Sequence, residues 1–330
     1  MYEKFTEFVR DKHRICIIQA ENPDGDSLGS AIALDYILKD TENYLYCPVE
    51  IPKYLRYFDD WSRVEIDFDF KADGYIIVDT AAEVLLSKLL DDAAIRNCLY
   101  EKPVLVIDHH ETEDDLNFPH EAIIEPRPAC ADVIFQIARS QNLEIPLEAA
   151  NALYLAISSD TLGLVSATVT SETMRTMAEL IDLGAIPSVL DEHRREFMKK
   201  SPRILDYKAD LIKRVDYSLG GQLATVHIPF EDIQKYSDEY NPNVLIIEEL
   251  RLVEGVVVAI AIKTYPDGKV TGKVRSTLPV SERIANYFGG GGHPYASGFR
   301  TYDTNYDEVV SEVVKILPGL IEEANAESHE

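Results

Sequence analysis

The chain has 330 residues, 46% of them hydrophobic and 27% charged, which is typical of a globular protein of about two domains and excludes a disordered or fibrous one. Lys and Arg number 32 against 58 Asp and Glu, and the resulting net charge of −26 disfavours binding to long nucleic-acid backbones. Widely spaced cysteines, no apolar stretch of membrane length and no signal-peptide core predict a cytoplasmic protein without a membrane partner.

The first half of the chain alternates short apolar runs with helical patterns. The runs Arg14 to Ala20, Gly74 to Asp79 and Pro103 to Asp108 are rich in Ile and Val without alternation, which predicts strands buried on both faces of a parallel sheet. Helical periodicity lies between them, at Ser27 to Lys39 and Ala81 to Leu90. Further helices are predicted at 129–140, 146–159, 171–183 and 188–199.

The second half has a different character. A helical connector is predicted over 191–215, and strand-like runs follow at Gln222 to Pro229, Gly255 to Thr264 and Lys269 to Ser276. We therefore expect an N-terminal α/β domain with a doubly wound parallel sheet over residues 1–190. A smaller C-terminal α+β domain is expected over residues 216–330.

Polar residues able to bind metal follow each of the three N-terminal strands and one helix. They are Asp24 and Asp26, then Asp79, then Asp108, His109 and His110, and finally Asp160 after a helix. Because the carboxyl ends of parallel strands meet at one edge of a sheet, we expect these side chains to converge. Oxygen ligands with imidazole and no thiolate suit Mn²⁺ or Mg²⁺, which can activate water and clamp a phosphoryl group. The pattern predicts metal-dependent hydrolysis of a phosphoester.

Each cluster also has an ordinary structural interpretation. The Asn22-to-Asp26 segment has the composition of a solvated turn, and Asp79 or Asp160 alone would be a helix cap. The pair of histidines beside Asp108 is less ordinary, since a carboxylate is at hand to orient them. The coincidence of all the clusters at strand and helix ends favours a metal site.

The second domain carries a glycine run at Gly289 to Gly292, followed by His293. Backbone N–H groups of such a run can converge on an anion, although glycine runs also form plain flexible turns. A local excess of basic residues lies just upstream, at Lys263, Lys269, Lys273, Arg275 and Arg283. The lysines could either be solvated on an exposed hairpin or bind phosphate, and both interpretations stay open. Arg275 favours phosphate binding, because a guanidinium group can contact a phosphate through two hydrogen bonds.

Taken in order, these motifs resemble the DHH phosphoesterase superfamily. The resemblance is to the subfamily with a DHH-associated C-terminal domain, which includes oligoribonucleases (nanoRNases), pAp phosphatases and RecJ-like enzymes. The matching segments span nearly the whole chain: Asn22 to Ser30, Val78 to Thr80, Asp108 to His110, Ser158 to Thr161, and Gly289 to His293.

The resemblance implies an enzyme that hydrolyses short single-stranded oligonucleotides or small nucleotides with two Mn²⁺ ions, or with Mg²⁺ or another divalent ion. A homodimer is compatible with it. The implied metal ligands are Asp24, Asp26, Asp79, His109 and Asp160. The implied catalytic residues are His110 and Asp108. The implied substrate-binding residues are Asn22, Arg275, Ser276, Gly291, Gly292 and His293.

One departure from the family pattern concerns the metal site. The family has a histidine four residues before the first aspartate, and Ala20 stands there in this chain. Alanine cannot ligate a metal, so altered metal dependence is expected, and a nucleotide-binding protein with weakened catalysis is the alternative. A hydrolase of inorganic polyphosphate or pyrophosphate is a further alternative, because related enzymes share the ligands of the first domain.

Overall fold

The computed structural model describes residues 1–110 and 114–327. They form two compact units that divide between Lys199 and Lys200, inside the segment 191–215 predicted as a connector. Helices flank this division on both sides, over Pro187–Phe197 and Pro202–Lys213. Within the described ranges, no helix has the length and apolarity needed to cross a membrane.

The strands and helices follow one another along the two units. The strands are β1 (Arg14–Ile18), β2 (Glu42–Tyr46), β3 (Val64–Glu65), β4 (Gly74–Val78), β5 (Val104–Asp108), β6 (Glu121–Ile124), β7 (Asp216–Ser218), β8 (Leu223–Ile228), β9 (Val258–Thr264), β10 (Val270–Ser276), β11 (Gly291–His293) and β12 (Ala296–Thr301). The α-helices are α1 (Glu3–Val9), α2 (Gly25–Ile37), α3 (Ser87–Leu90), α4 (Ala93–Glu101), α5 (Cys130–Ser140), α6 (Leu147–Asp160), α7 (Ser171–Asp182), α8 (Pro187–Phe197), α9 (Pro202–Lys213), α10 (Phe230–Tyr236), α11 (Pro242–Arg251), α12 (Ser281–Tyr287) and α13 (Tyr306–Glu327).

The first unit contains a parallel sheet with the order β3-β2-β1-β4-β5-β6. Ile15 and Ile17 of β1 contribute to one apolar core together with residues of α2, α5 and α6. Cys16 and Ile18 point to the opposite face, where they contribute to a second core with residues of α4. Burial on both faces explains the continuous apolar runs, and the predicted doubly wound α/β fold is confirmed.

In this unit one local prediction was wrong and some strands were missed. The stretch Ala81 to Leu90 is not one helix, because Ala82 is extended and a 3₁₀ turn over Glu83–Leu86 precedes the short α3. The strands β2 and β6 were not predicted. They flank the central strands, are partly exposed, and β2 carries polar residues that dilute the apolar signal.

The second unit contains a mixed sheet with the order β11-β12-β10-β9-β8-β7. Its pairs are antiparallel except β8 with β9. One face packs on α12 and α13, and the other on α9 and α11. The glycine run is not only a loop, since Gly291–His293 forms strand β11 against β12. A Cβ at Gly290 would lie 2.2 Å from the carbonyl oxygen of Gly298, so this approach of the two backbones requires glycine.

Candidate metal centre

The turn after β1 is built as the start of helix α2. The Oδ1 atom of Asp24 accepts hydrogen bonds from the N–H groups of Asp26, at 3.0 Å, and Ser27, at 2.9 Å. The N–H of Asp24 in turn donates to the hydroxyl of Ser27, which completes a capping box. The segment therefore forms an ordered helix cap, which was not predicted for it, and this cap fixes the direction in which Asp26 leaves the helix.

Gly25 allows α2 to approach the end of α6. A Cβ at this position would lie 2.2 Å from the hydroxyl oxygen of Ser159, which no side chain could tolerate without displacing one of the two helices. Ser159 directly precedes Asp160. The missing side chain at Gly25 therefore brings the Asp26 and Asp160 carboxylates close together.

Asp26 is almost completely buried, at 1% exposure. Its carboxylate accepts hydrogen bonds from the N–H groups of Cys130, at 2.6 Å, and Ala131, at 3.0 Å, at the N-terminus of α5. The pKa of Asp26 is raised to about 7, mainly by burial, with His109 lowering it and the Asp160 carboxylate raising it. An additional positive charge at this place would stabilise the ionised form.

Asp79 follows β4 in the left-handed backbone region, with a φ of 65°. Its side chain is buried, and its Oδ1 atom has no hydrogen-bond partner among the described residues. The same atom lies 3.4 Å from Nε2 of His109. Burial is the largest cause of the strongly raised pKa of Asp79, and the Asp26 carboxylate is the next. A buried carboxylate oxygen without a partner needs a cation or a proton.

His109 presents one ring nitrogen to the acidic cluster. Its Nδ1 atom lies 2.9 Å from the backbone oxygen of Arg127, where only an N–H can make the hydrogen bond. In the neutral ring, Nε2 is then unprotonated. It lies 3.8 Å from Asp26 and 3.9 Å from Asp160. An imidazole oriented through its other nitrogen is the usual arrangement of a metal-binding histidine.

Asp108 ends β5 and organises the two histidines that follow it. Its Oδ1 atom accepts hydrogen bonds from the N–H of His109, at 2.7 Å, and from Nδ1 of His110, at 2.7 Å. Burial by itself would raise the pKa of Asp108, but the hydrogen bonds from His110 and the backbone lower it overall. Asp108 therefore stays ionised. The His110 ring is more exposed than that of His109, with Nε2 directed away from its carboxylate partner.

The described residues contain two groups of side chains able to hold a metal ion. One is Asp26, His109 and Asp160, and the other is Asp79, Asp108, His109 and His110. In each group the ligand atoms lie within 4.8 Å of one another. Oxygen and nitrogen donors without thiolate fit a hard divalent ion. Its positive charge would provide a partner for Oδ1 of Asp79. It would also lower the raised pKa values of the carboxyl groups by stabilising their ionised forms.

Three positions that the sequence analysis singled out near the first strand lie outside these two groups. Asp24 belongs to neither group, so its role as a metal ligand remains a prediction. Asn22 is exposed beside it. Ala20, where the family has histidine, is buried at 6% exposure and offers no ligand atom from its side chain.

The substrate-binding residues predicted in the second unit do not all lie on the same face of its sheet. An open trough of about 940 Å³ is lined by Arg275, Gly291, Gly292 and His293. Ser276 is buried instead, and its hydroxyl donates to the carbonyl of Leu278 at 2.6 Å. Neighbouring residues on a strand point to opposite faces, so Ser276 and Arg275 diverge. The trough also contains Lys273 and Arg300, of which Arg300 has no sequence motif to indicate it.

Residues 14–157 match the DHH family, N-terminal domain, and they hold every acidic and histidine ligand described above except Asp160. The match confirms the resemblance inferred from the motifs, including the Asp108-to-His110 segment from which the family name is read.

The chain is also similar to several curated proteins. A bifunctional oligoribonuclease and PAP phosphatase NrnA from Thermus thermophilus is 27% identical, with 90% of this chain and 86% of the relative covered. A probable manganese-dependent inorganic pyrophosphatase from Enterococcus faecalis is 28% identical, with coverage of 62% and 65%. The crystal structure of an exopolyphosphatase-related protein from Bacteroides fragilis has a TM-score of 0.83 at 18% identity, covering 100% of this chain and 97% of that one. That likeness shows the fold alone.

Proposed function

We propose that this protein is a metal-dependent phosphoesterase that hydrolyses short oligonucleotides or small nucleotides. The carrying observation is the convergence of three carboxylates, of which those of Asp26 and Asp79 are buried, on Nε2 of His109. Oδ1 of Asp79 is left without a hydrogen-bond partner among the described residues. Such an arrangement is electrostatically unfavourable until a cation binds. The NrnA-type relatives support the reaction class.

Asp26, Asp79, His109 and Asp160 would hold the divalent ion, with Asp24 completing a second position. The bound ion would supply a water of lowered pKa and positive charge against the phosphoryl oxygens. We infer Mn²⁺, and two ions, from the family resemblance, and the manganese-dependent relatives support that metal.

His110 is the residue placed to handle a proton. Its Nδ1–H donates to the ionised Asp108, and no hydrogen bond to Nε2 is formed by the part of the chain that the structure describes. A carboxylate partner stabilises a protonated imidazole, so Nε2 can hold a proton for the leaving oxygen. His109 is not available for this role because its Nδ1 is bound to the Arg127 carbonyl and its Nε2 faces the carboxylates.

Arg275, the Gly291-Gly292 backbone and His293 would bind a phosphate of the substrate that is not hydrolysed. Asn22 would contact substrate at the exposed edge of the turn that holds Asp24. Ser276 would act through the backbone of this site, because its own hydroxyl is used internally. We propose a short single-stranded oligonucleotide or small nucleotide as the partner.

Hydrolysis of pyrophosphate or polyphosphate is the second candidate. The manganese-dependent pyrophosphatase relatives favour it, but they cover less of the chain than the NrnA-type relatives do. A nucleotide-binding protein with weakened catalysis is the third, and Ala20 is the observation that favours it.

The experiment is the release of mononucleotide from a labelled RNA dinucleotide, with pAp and pyrophosphate assayed in parallel. Each substrate is tested with Mn²⁺, Mg²⁺ and chelator, in the natural protein and in Ala20→His. We expect metal-dependent cleavage of the nucleotides that exceeds cleavage of pyrophosphate. Turnover only in Ala20→His would support the binding-protein alternative, and preference for pyrophosphate would support the second candidate.

A further inference from the structure

Gln19 follows β1 directly and lies in an unusual environment. Its side chain is completely buried, yet neither Oε1 nor Nε2 has a hydrogen-bond partner among the described residues. An amide buried in this way costs free energy, because it loses its hydrogen bonds to water and gains none from the protein. Buried polar groups without partners are rare in native structures. The amide therefore indicates a partner of another kind, such as a bound ion.

Strand β1 determines the face of the sheet on which Gln19 lies. Ile17 belongs to the apolar core formed with residues of α2, α5 and α6, whereas Ile18 belongs to the core on the opposite face. The N–H of Gln19 donates to the carbonyl of Tyr46 at 3.0 Å, so pairing with β2 continues through this residue. Because side chains alternate along a strand, Gln19 shares the face of Ile17, beneath α2, α5 and α6.

The acidic cluster of the metal centre lies at this end of the same face. Asp26 is in the first turn of α2, Asp160 ends α6, and the N-terminus of α5 donates to the Asp26 carboxylate. Strand β4 is the neighbour of β1, and Asp79 directly follows β4 as Gln19 directly follows β1. The unpartnered amide of Gln19 and the unpartnered Oδ1 atom of Asp79 thus belong to the ends of adjacent strands.

Ala20 is the next residue, and its side chain offers no donor where the family has a histidine. An imidazole is thus missing at one position, while an unpaired amide oxygen is present at the preceding one. Carbonyl oxygens are typical ligands of hard ions such as Mg²⁺ and Mn²⁺, whereas imidazole suits Zn²⁺ and Ni²⁺. The amide also has two N–H donors, which suit the carboxylate oxygens of an acidic cluster. Glutamine is therefore chemically able to bind an ion among carboxylates.

We propose that Oε1 of Gln19 is a ligand of the divalent ion and replaces the imidazole that is missing at Ala20. The exchange of a nitrogen donor for an oxygen donor shifts the preference of the site toward hard ions. The inference rests on the proposed function, because it concerns the ion that the proposed reaction uses. Under this assignment, the loss of the family histidine does not require the loss of the ion.

The test measures Mn²⁺ binding to the full chain by titration calorimetry, without substrate. Four proteins are compared: the natural one, Gln19→Leu, Ala20→His and the double variant. Leucine is similar in size to glutamine and has no donor atom, so Gln19→Leu should raise the Kd for Mn²⁺ about tenfold or more. In the Ala20→His background the same substitution should change the Kd less than about twofold, because the imidazole already supplies the donor.

Two further measurements separate a ligand from a structural residue. In chelator, Gln19→Leu should unfold at the same temperature as the natural protein or at a higher one, because an unpaired buried amide has been replaced by an apolar group. Ala20→His should increase the preference for Ni²⁺ over Mn²⁺ about tenfold relative to the natural protein, because imidazole favours the softer ion. A change in this ratio of Kd values does not follow from a packing role of Gln19.

The matched control is Gln234→Leu, because Gln234 is exposed on α10 in the second unit. It makes the same substitution away from the metal centre, so its Kd for Mn²⁺ should equal that of the natural protein. An unchanged Kd in Gln19→Leu, or an equal loss with and without Ala20→His, would overturn the proposal. The two proposals fail separately: Mn²⁺ binding that depends on Gln19 without hydrolysis of nucleotides contradicts only the proposed function. Hydrolysis with Mn²⁺ binding independent of Gln19 contradicts only the assignment of this ligand.

Discussion

The two units concentrate charges of opposite sign. In the first, Asp26, Asp79 and Asp160 converge around one imidazole nitrogen, and burial raises the pKa of each carboxyl. In the second, an acid-free trough holds several cations, and burial together with Lys273 lowers the pKa of Lys263 to about 8. Each site is disfavoured alone because it gathers charges of one sign.

The net charge of the whole chain therefore does not predict the charge of an individual site. The net charge of −26 correctly indicates an acidic protein but does not describe either site. The acidic site is complementary to a cation and the basic trough to an anion. A phosphoester reaction requires both, because its metal ions and its substrate have opposite charges. The predictions below weaken one region at a time.

The largest expected effect is on hydrolysis in Asp79→Ala. Removal of this buried carboxylate deletes a ligand from the centre of the acidic site, and the rate should fall by at least about 100-fold. Dinucleotide cleavage in Mn²⁺ measures this. Asp182→Asn, at the exposed end of α7, is the matched control and should keep full activity. Retention of activity in Asp79→Ala would remove Asp79 from the metal site.

A smaller loss is expected in His110→Gln. If Nε2 of His110 transfers the proton, kcat should fall by about 100-fold or more, the usual contribution of general acid catalysis. Binding of Mn²⁺, followed by calorimetry, should change little because Asp26, His109 and Asp160 remain. Loss of the metal along with activity would instead make His110 a ligand.

Metal binding should stabilise the protein. At a Mn²⁺ concentration about 100 times the Kd, the free energy of unfolding increases by about 2.7 kcal/mol, and the melting temperature by about 5 to 10 °C. Differential scanning fluorimetry with and without chelator measures the shift. The melting temperature of Asp26→Asn should increase much less on addition of Mn²⁺ than that of Asp182→Asn. Equal shifts in both variants would show that the ion binds elsewhere.

The smallest effect concerns pH and the basic trough. The pKa of Lys263, lowered to about 8, means that its amine loses its proton as pH rises through 8, so affinity for an RNA pentanucleotide should decrease there. Besides Lys273, the amine has the neutral Asn241 as its hydrogen-bond acceptor and the neutral Thr271 as its neighbour on β10. Lys263→Arg stays charged, so its affinity measured by anisotropy should be flat between pH 7 and about 9. A parallel decrease in both proteins would assign the titration to another group.

Much of the first unit could be predicted because its strands and candidate ligands are adjacent in the sequence. A buried parallel strand is one continuous apolar run, and its ligands come directly after it, as with β5 and Asp108. The strands β1, β4 and β5 were therefore found with their ends within two residues. What holds His109 in place was missed, since the partner is the backbone oxygen of Arg127 and any residue could supply it.

The basic trough was less predictable because it depends on register. Five basic residues near the glycine run were noticed, but the sequence could not separate solvated lysines from ligands. The structure directs Arg283 to Glu323 and Lys269 to the ring of Tyr265, away from the trough. Lys263 and Lys273 share its face only because β9 and β10 pair as they do. Arg300 joins them through β12, which was not predicted.

The close approach of α2 to α6 at Gly25 has a consequence for ion selection. The two helices meet where Gly25 faces Ser159, so the separation of the Asp26 and Asp160 carboxylates is fixed by helix packing before any ion arrives. A rigid gap of this kind favours ions of one radius, because an ion that is too large or too small must strain two packed helices. Replacing Gly25 by alanine would widen the gap and change which divalent ion fits best.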